Sequence, residues 1–225
     1  MSLPKKISRR NLLQAGLGAA ASLIWGNLEA RQTTHSPCKT PLQTEGPFYP
    51  QHDQADKDYD LTLIRGHREP AQGEVLHIRG QVLDEHCQPI PDVFVEIWQA
   101  NTYGRYRHEN DANPAPLDPH FQGWGKVKTD QQGNYHFKTI IPGPYPVNER
   151  WWRPPHIHFK VAKRGYHELT TQMYFAGHKF NEQDWILLKV PQEERAKVIV
   201  ELEEKSQGDE PGAKQCRFNI ALQRA

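Results

Sequence analysis

Apolar residues in this chain recur at every second position, in short runs cut apart by Pro, Gly and Asp. Leu76, Ile78 and Val82 alternate with polar neighbours, and Val93, Val95 and Ile97 alternate with Phe94, Glu96 and Trp98. A period of two sends successive side chains to opposite faces of an extended strand, so each run buries one face of a sheet. Residues 84–91 and the string Asp130-Gln131-Gln132-Gly133-Asn134 are turn signals, and a strand is expected over 135–141. Further strands are expected over 153–162, 170–175 and 217–222. Residues 31–73 show little periodicity, and Thr44-Glu45-Gly46-Pro47-Phe48-Tyr49-Pro50 reads as an ordered loop with aromatic anchors. The one good amphipathic helix is expected over 192–205, opened by Pro191. Short strands, many turns and a single late helix predict an all-β fold: a two-sheet β-sandwich with long loops and one short helix in the C-terminal region.

The 225 residues suffice for one full-sized domain, expected over 31–225. The first thirty read differently. Lys5, Lys6, Arg9 and Arg10 form a basic head before an apolar run over 12–25 that is too short and too rich in Gly and Ala for a membrane span. Ser8-Arg9-Arg10-Asn11-Leu12-Leu13-Gln14 resembles a twin-arginine export signal, with a cleavage site expected near Ala30 and an uncleaved anchor as the alternative. Passage through the twin-arginine machinery would make the mature protein periplasmic or secreted. The net charge of +1, without clustered Lys and Arg, excludes a nucleic-acid footprint. Cys38, Cys87 and Cys216 are too scattered for a zinc cluster; an oxidising compartment permits one disulfide, and the sequence does not choose the pair.

The chemistry gathers around His156-Ile157-His158. Strand geometry puts both imidazoles on one face and Ile157 and Phe159 on the other, which makes half of a metal site. Trp152-Arg153-Pro154-Pro155 precedes this pair, with Gly143-Pro144-Tyr145-Pro146 a short loop upstream. Glu96-Ile97-Trp98-Gln99-Ala100-Asn101, Gly104-Arg105-Tyr106, Ala115-Pro116-Leu117-Asp118-Pro119, Phe121-Gln122-Gly123 and Gln172-Met173-Tyr174-Phe175 surround them in sequence. With these blocks in this order the chain resembles the intradiol ring-cleavage dioxygenases, from about residue 44 to residue 177.

That resemblance implies a ferric iron, Fe(3+), held by Tyr106, Tyr145, His156 and His158. Phenolate is a hard anionic donor suited to a hard cation, and two phenolates with one hydroxide would balance the 3+ charge. It implies further that a catechol-type substrate meets O2 there and is opened to a cis,cis-muconate, that Tyr145 leaves the metal and takes a substrate proton, and that Arg153 stabilises charge on the ring. Tyr49 is expected at the substrate pocket and Gln172 in the layer behind it, and Arg150 is expected either as a partner for a substrate carboxylate there or facing solvent. The resemblance leaves open whether the chain acts alone, as a homo-oligomer or with a related second subunit. A competing reading is a non-catalytic, secreted transthyretin-like β-sandwich binding module, which residues 80–145 also resemble and which needs no such ligand set.

Overall fold

The alternation of apolar and polar residues builds two sheets that face each other. In the computed structural model, which describes residues 38–54, 56–204, 210 and 212–225, the strands in chain order are β1 (Val75–Leu83), β2 (Phe94–Trp98), β3 (Trp124–Lys128), β4 (Asn134–Ile140), β5 (Tyr145–Asn148), β6 (Trp151–Arg153), β7 (His156–Ala162), β8 (Leu169–Phe175), β9 (Ile199–Val200), β10 (Glu203–Glu204), β11 (Lys214–Arg217) and β12 (Ile220–Ala221). One sheet centres on β1, which pairs with β4, β11 and β12, and β11 carries β10 at its far side. The other has the order β3-β2-β7-β8-β9, and β5 and β6 form a separate hairpin. The leader expected over 1–30 lies outside the described residues.

Between the sheets, Leu76, Ile78 and Val82 of β1 and Phe137 of β4 meet Val95 and Ile97 of β2, Ile157, Phe159 and Val161 of β7 and Met173 of β8 in one apolar cluster. Ile157 and Phe159 are fully buried, and each such side chain is worth about 1.5–3 kcal/mol of hydrophobic stabilisation. Because the period is two, the residues between them point to the other face of the same sheet. Trp98, His156, His158, Gln172 and Tyr174 therefore share the outer face.

Three expectations need correction. The helix expected over 192–205 is a 3-10 segment, Gln192–Lys197, after which the chain turns extended into β9. The cause is the edge of β8: Tyr174 N donates to Val198 O at 2.8 Å and Ala176 N to Val200 O at 2.9 Å. Buried N–H groups without acceptors would cost more than local helix propensity returns. The strand expected over 153–162 is broken at Pro154 and Pro155, which lack the N–H a ladder needs, so β6 ends at Arg153 and β7 begins at His156. The strand expected over 217–222 is likewise two pieces, β11 and β12, both parallel to β1.

The disulfide joins Cys38 to Cys87 with Cα atoms 5.3 Å apart, and Cys216 is the buried free thiol. Burial pushes the Cys216 thiol up to about 12, so it stays protonated and inert. The bridge ties the segment before residue 73 to the turn between β1 and β2. It closes a long loop, separation 49, for which a stabilisation of about 2–4 kcal/mol is expected. Cys38→Ser should lower the urea midpoint accordingly, and reductant should bring the parent protein to the variant's midpoint while leaving the variant unchanged. A variant as stable as the parent would remove the bridge from the account of stability.

Candidate active site

The outer face of the second sheet would ordinarily face water. Here loops cover it, and Trp98, His156, His158, Gln172 and Tyr174 are each no more than 2% exposed. Strand register sets them in rows: Trp98 lies opposite His158, which lies opposite Gln172, and His156 lies opposite Tyr174. Trp98 stacks on His158 with ring centroids 4.7 Å apart, which fixes the plane of that imidazole.

The two tyrosines come from loops locked to each other. Asn101 organises the first: its Oδ1 accepts from Tyr103 N at 2.9 Å and Arg105 N at 3.0 Å, and its Nδ2 donates to Pro116 O at 2.9 Å. Tyr106 N then donates to Asp111 Oδ2 at 2.7 Å. The second loop delivers Tyr145 as the first residue of β5, opposite Arg153 of β6. Gly104, at φ +77°, presses on this loop so closely that a Cβ there would lie 2.4 Å from Pro144 O.

These elements bring all four expected donors together. Tyr106 Oη is 3.3 Å from His156 Nε2. The Tyr106 and Tyr145 rings are 5.7 Å apart, Tyr145 and His156 also 5.7 Å, and His156 and His158 5.0 Å. His156 Nδ1 lies 2.7 Å from Pro154 O, a pure acceptor; Nδ1 therefore carries the proton and Nε2 keeps a lone pair aimed at the site. His158 Nδ1 is buried with no hydrogen-bond partner among the described residues. Burial, then the positive charge of Arg153, holds both imidazoles well below their usual range, so both are neutral. Burial pushes both phenols up, and a phenolate here would need a cation to compensate it. Among the described residues no three His, Cys, Asp or Glu gather as a metal site. Two neutral imidazoles with uncommitted nitrogen and two buried phenols fit a hard metal cation.

Arg153 is 4% exposed and sits beside this group. Its Nη2 donates to Gln172 Oε1 at 2.5 Å, and its Nε lies 2.9 Å from Asp184 Oδ1. The Nε–H is not aimed at that oxygen, so the contact is an ion pair rather than a hydrogen bond. Asp184, fully buried, also accepts from Trp151 Nε1 at 3.2 Å. A cavity of about 540 Å³ opens onto the site, walled by Phe48, Tyr145, Val147, Trp151, Arg153, His158 and Ile186 among others.

Tyr49, Arg150 and Gln172 are not among the residues that wall this cavity. Tyr49 points away from it: its hydroxyl donates to Glu96 Oε2 at 3.0 Å and its ring meets Trp98 edge-on, while neighbouring Phe48 stacks on Tyr106 at 4.6 Å. Arg150 is exposed in the turn of the β5–β6 hairpin. Gln172 lies behind Arg153, in the second layer, where its Oε1 accepts from Arg153 Nη2. Asp184 and Tyr174 were not anticipated; an Asp before Trp185 carries no local signal, and only the fold sets it against Arg153.

Residues 44–224 match the family model described as Dioxygenase. The chain is 40% identical over 167 residues to the protocatechuate 3,4-dioxygenase beta chain of Burkholderia cepacia, covering 72% of this chain and 71% of that one. To catechol 1,2-dioxygenase 2 of Acinetobacter lwoffii it is 31% identical over 191 residues, covering 77% of this chain and 65%, just under two thirds, of the relative. The solved 3-chlorocatechol 1,2-dioxygenase from Rhodococcus opacus 1CP superposes with a TM-score of 0.66 at 26% identity, over 83% of this chain and 73% of that one. Fold, site and likeness define a β-sandwich dioxygenase. The chain belongs to the intradiol ring-cleavage dioxygenase family, and the non-catalytic transthyretin-like module falls away as a reading.

Gly104 tests whether the two tyrosine loops depend on each other. Gly104→Ala should destabilise by at least about 1–2 kcal/mol for the left-handed backbone alone, with the overlap on Pro144 O added. Gly104→Asn tolerates the backbone better but keeps the overlap, so it too should show a lowered urea midpoint and weakened metal binding. A stable, fully active Gly104→Asn protein would show that the close approach does not matter.

Proposed function

We propose that Tyr106, Tyr145, His156 and His158 hold one ferric iron and that the chain opens a catechol-type ring between its two hydroxylated carbons with O2. The product would be a cis,cis-muconate, a step in the catabolism of aromatic compounds. The observation that supports this most is the mutual approach of two tyrosines and two neutral histidines at the wall of a ring-sized cavity. Ferric iron would supply Lewis-acid activation of the catechol toward O2.

The chain's own residues divide the remaining work. Tyr145 lines the cavity and Tyr106 does not, so Tyr145 Oη is the oxygen placed to take a proton from an incoming catechol. Tyr106, stacked under Phe48 and 3% exposed, is held in place throughout. The Arg153 guanidinium, fixed by Gln172 and Asp184, stabilises negative charge as it develops on the ring and its oxygens. Phe48, Val147, Trp151 and Ile186 hold the ring and exclude water.

His158→Ala should lose the iron and the visible absorbance that tyrosinate ligands to Fe(III) would give, with O2 uptake falling to background; metal analysis and spectra read this directly. An iron-replete His158→Ala protein with normal ring cleavage would overturn the ligand set.

The export reading belongs to the same proposal: the protein is periplasmic or secreted by the twin-arginine route. Arg9 and Arg10 before a short apolar run support it, as does the Cys38–Cys87 disulfide, since such bonds persist in oxidising compartments. Replacing Arg9 and Arg10 together with Lys should leave folded protein in the cytoplasm, seen by fractionation. Unchanged export of that double variant would refute the route.

A further inference from the structure

The active-site cavity is poor in positive charge. Among the described residues of its wall, Arg153 is the only Lys or Arg. That guanidinium is already engaged, 2.9 Å from Asp184 Oδ1 and 2.5 Å from Gln172 Oε1. The wall's other full charge is an anion, Asp111, whose Oδ2 accepts from Tyr106 N and whose Oδ1 accepts from Asn113 N. Asn113 is committed too: its Nδ2 donates to Gly104 O at 2.9 Å and its Oδ1 accepts from Ala115 N at 3.0 Å. Arg150 follows closely on Val147 in sequence yet stands exposed in the hairpin turn, off the wall.

Resting on the ring-cleavage reading above, we infer that this cavity selects catechols whose ring substituent is uncharged and discriminates against those bearing a carboxylate. A carboxylate carried in on the ring would give up part of its hydration for a wall of Val147, Trp151 and Ile186, with Asp111 beside it and, among the described residues of that wall, no unengaged Lys or Arg to meet it. A buried charge without a partner is strongly disfavoured. A hydrogen, methyl or halogen at the same ring position meets apolar surface and gains from its burial. Specificity here is a difference of two affinities, and the wall works mainly by penalising the charged competitor.

The test compares kcat/KM for catechol, 4-methylcatechol and protocatechuate, by O2 uptake at near-neutral pH, on the purified iron-loaded protein. Catechol and 4-methylcatechol should exceed protocatechuate by roughly tenfold to a hundredfold, as expected for one unsatisfied charged group. Val147 is half-exposed at the cavity rim, so Val147→Arg adds a cation there. It should narrow that ratio about tenfold, chiefly through a lower KM for protocatechuate, an effect that weakens as salt rises. Protocatechuate turned over as well as catechol by the parent protein would overturn the inference and leave the ring-cleavage reading standing. So would a folded, catechol-cleaving Val147→Arg variant with an unchanged ratio. Failure of the iron-loaded protein to cleave any of the three rings would overturn the ring-cleavage reading and this inference with it.

Discussion

The site depends on the anchoring of β7. Ile157 and Phe159 are locked into the core between the sheets, and their burial forces His156 and His158 to the opposite face in a fixed orientation. No single-residue slip of this strand is tolerable, because it would turn both imidazoles into the core and both apolar residues out. The same strand carries the His158 register to Trp98 on one side and to Gln172 on the other. Core packing and site geometry are thus one constraint seen from two faces of one sheet.

A buried face full of polar groups is expensive, and the fold meets that cost with a connected network. Arg153 holds Gln172 and Asp184. Gln172 Nε2 donates to Thr44 O at 2.8 Å, and Tyr174 Oη reaches both Gln172 Oε1 at 3.0 Å and Gln43 Oε1 at 2.9 Å. The irregular segment before β1 is therefore part of the site's supporting layer. The Cys38–Cys87 bridge anchors that segment just upstream of Gln43 and Thr44. The Arg153–Asp184 pair is weak evidence for stability in itself, since desolvation offsets most of its attraction. Its consequence is positional: a cation held at one place and partly neutralised there can serve charge that develops beside it without attracting every anion that enters.

The side chains gathered in front of this network are equally informative. Tyr106 Oη and His156 Nε2 lie 3.3 Å apart, and the rings of Tyr145 and His158 close on the same pair. Their convergence is the place that the proposed metal would occupy, and the apolar surface of Phe48, Val147, Trp151 and Ile186 beyond them is where a flat ring would lie.

Local pattern in the sequence was enough for much of this. Alternation at 75–83 and 93–98 gave the strands, because a half-buried strand needs only its own residues to declare a period of two. His156-Ile157-His158 declared its facing for the same reason, and the order of the surrounding blocks carried the family. Tertiary structure decided whatever depends on residues distant in the chain. Cys38 was joined to Cys87 rather than Cys216 by the wrapping of the irregular segment. The residues after Lys197 became a strand because β8 offered an unpaired edge, although their local pattern is helical. Tyr49 was turned behind Trp98 and Arg150 out to solvent by how two loops fold over the sheet. Asp184 met Arg153 across thirty residues of chain with no local signal at either end, because the partner of a buried charge is chosen by proximity in space, which sequence spacing does not encode.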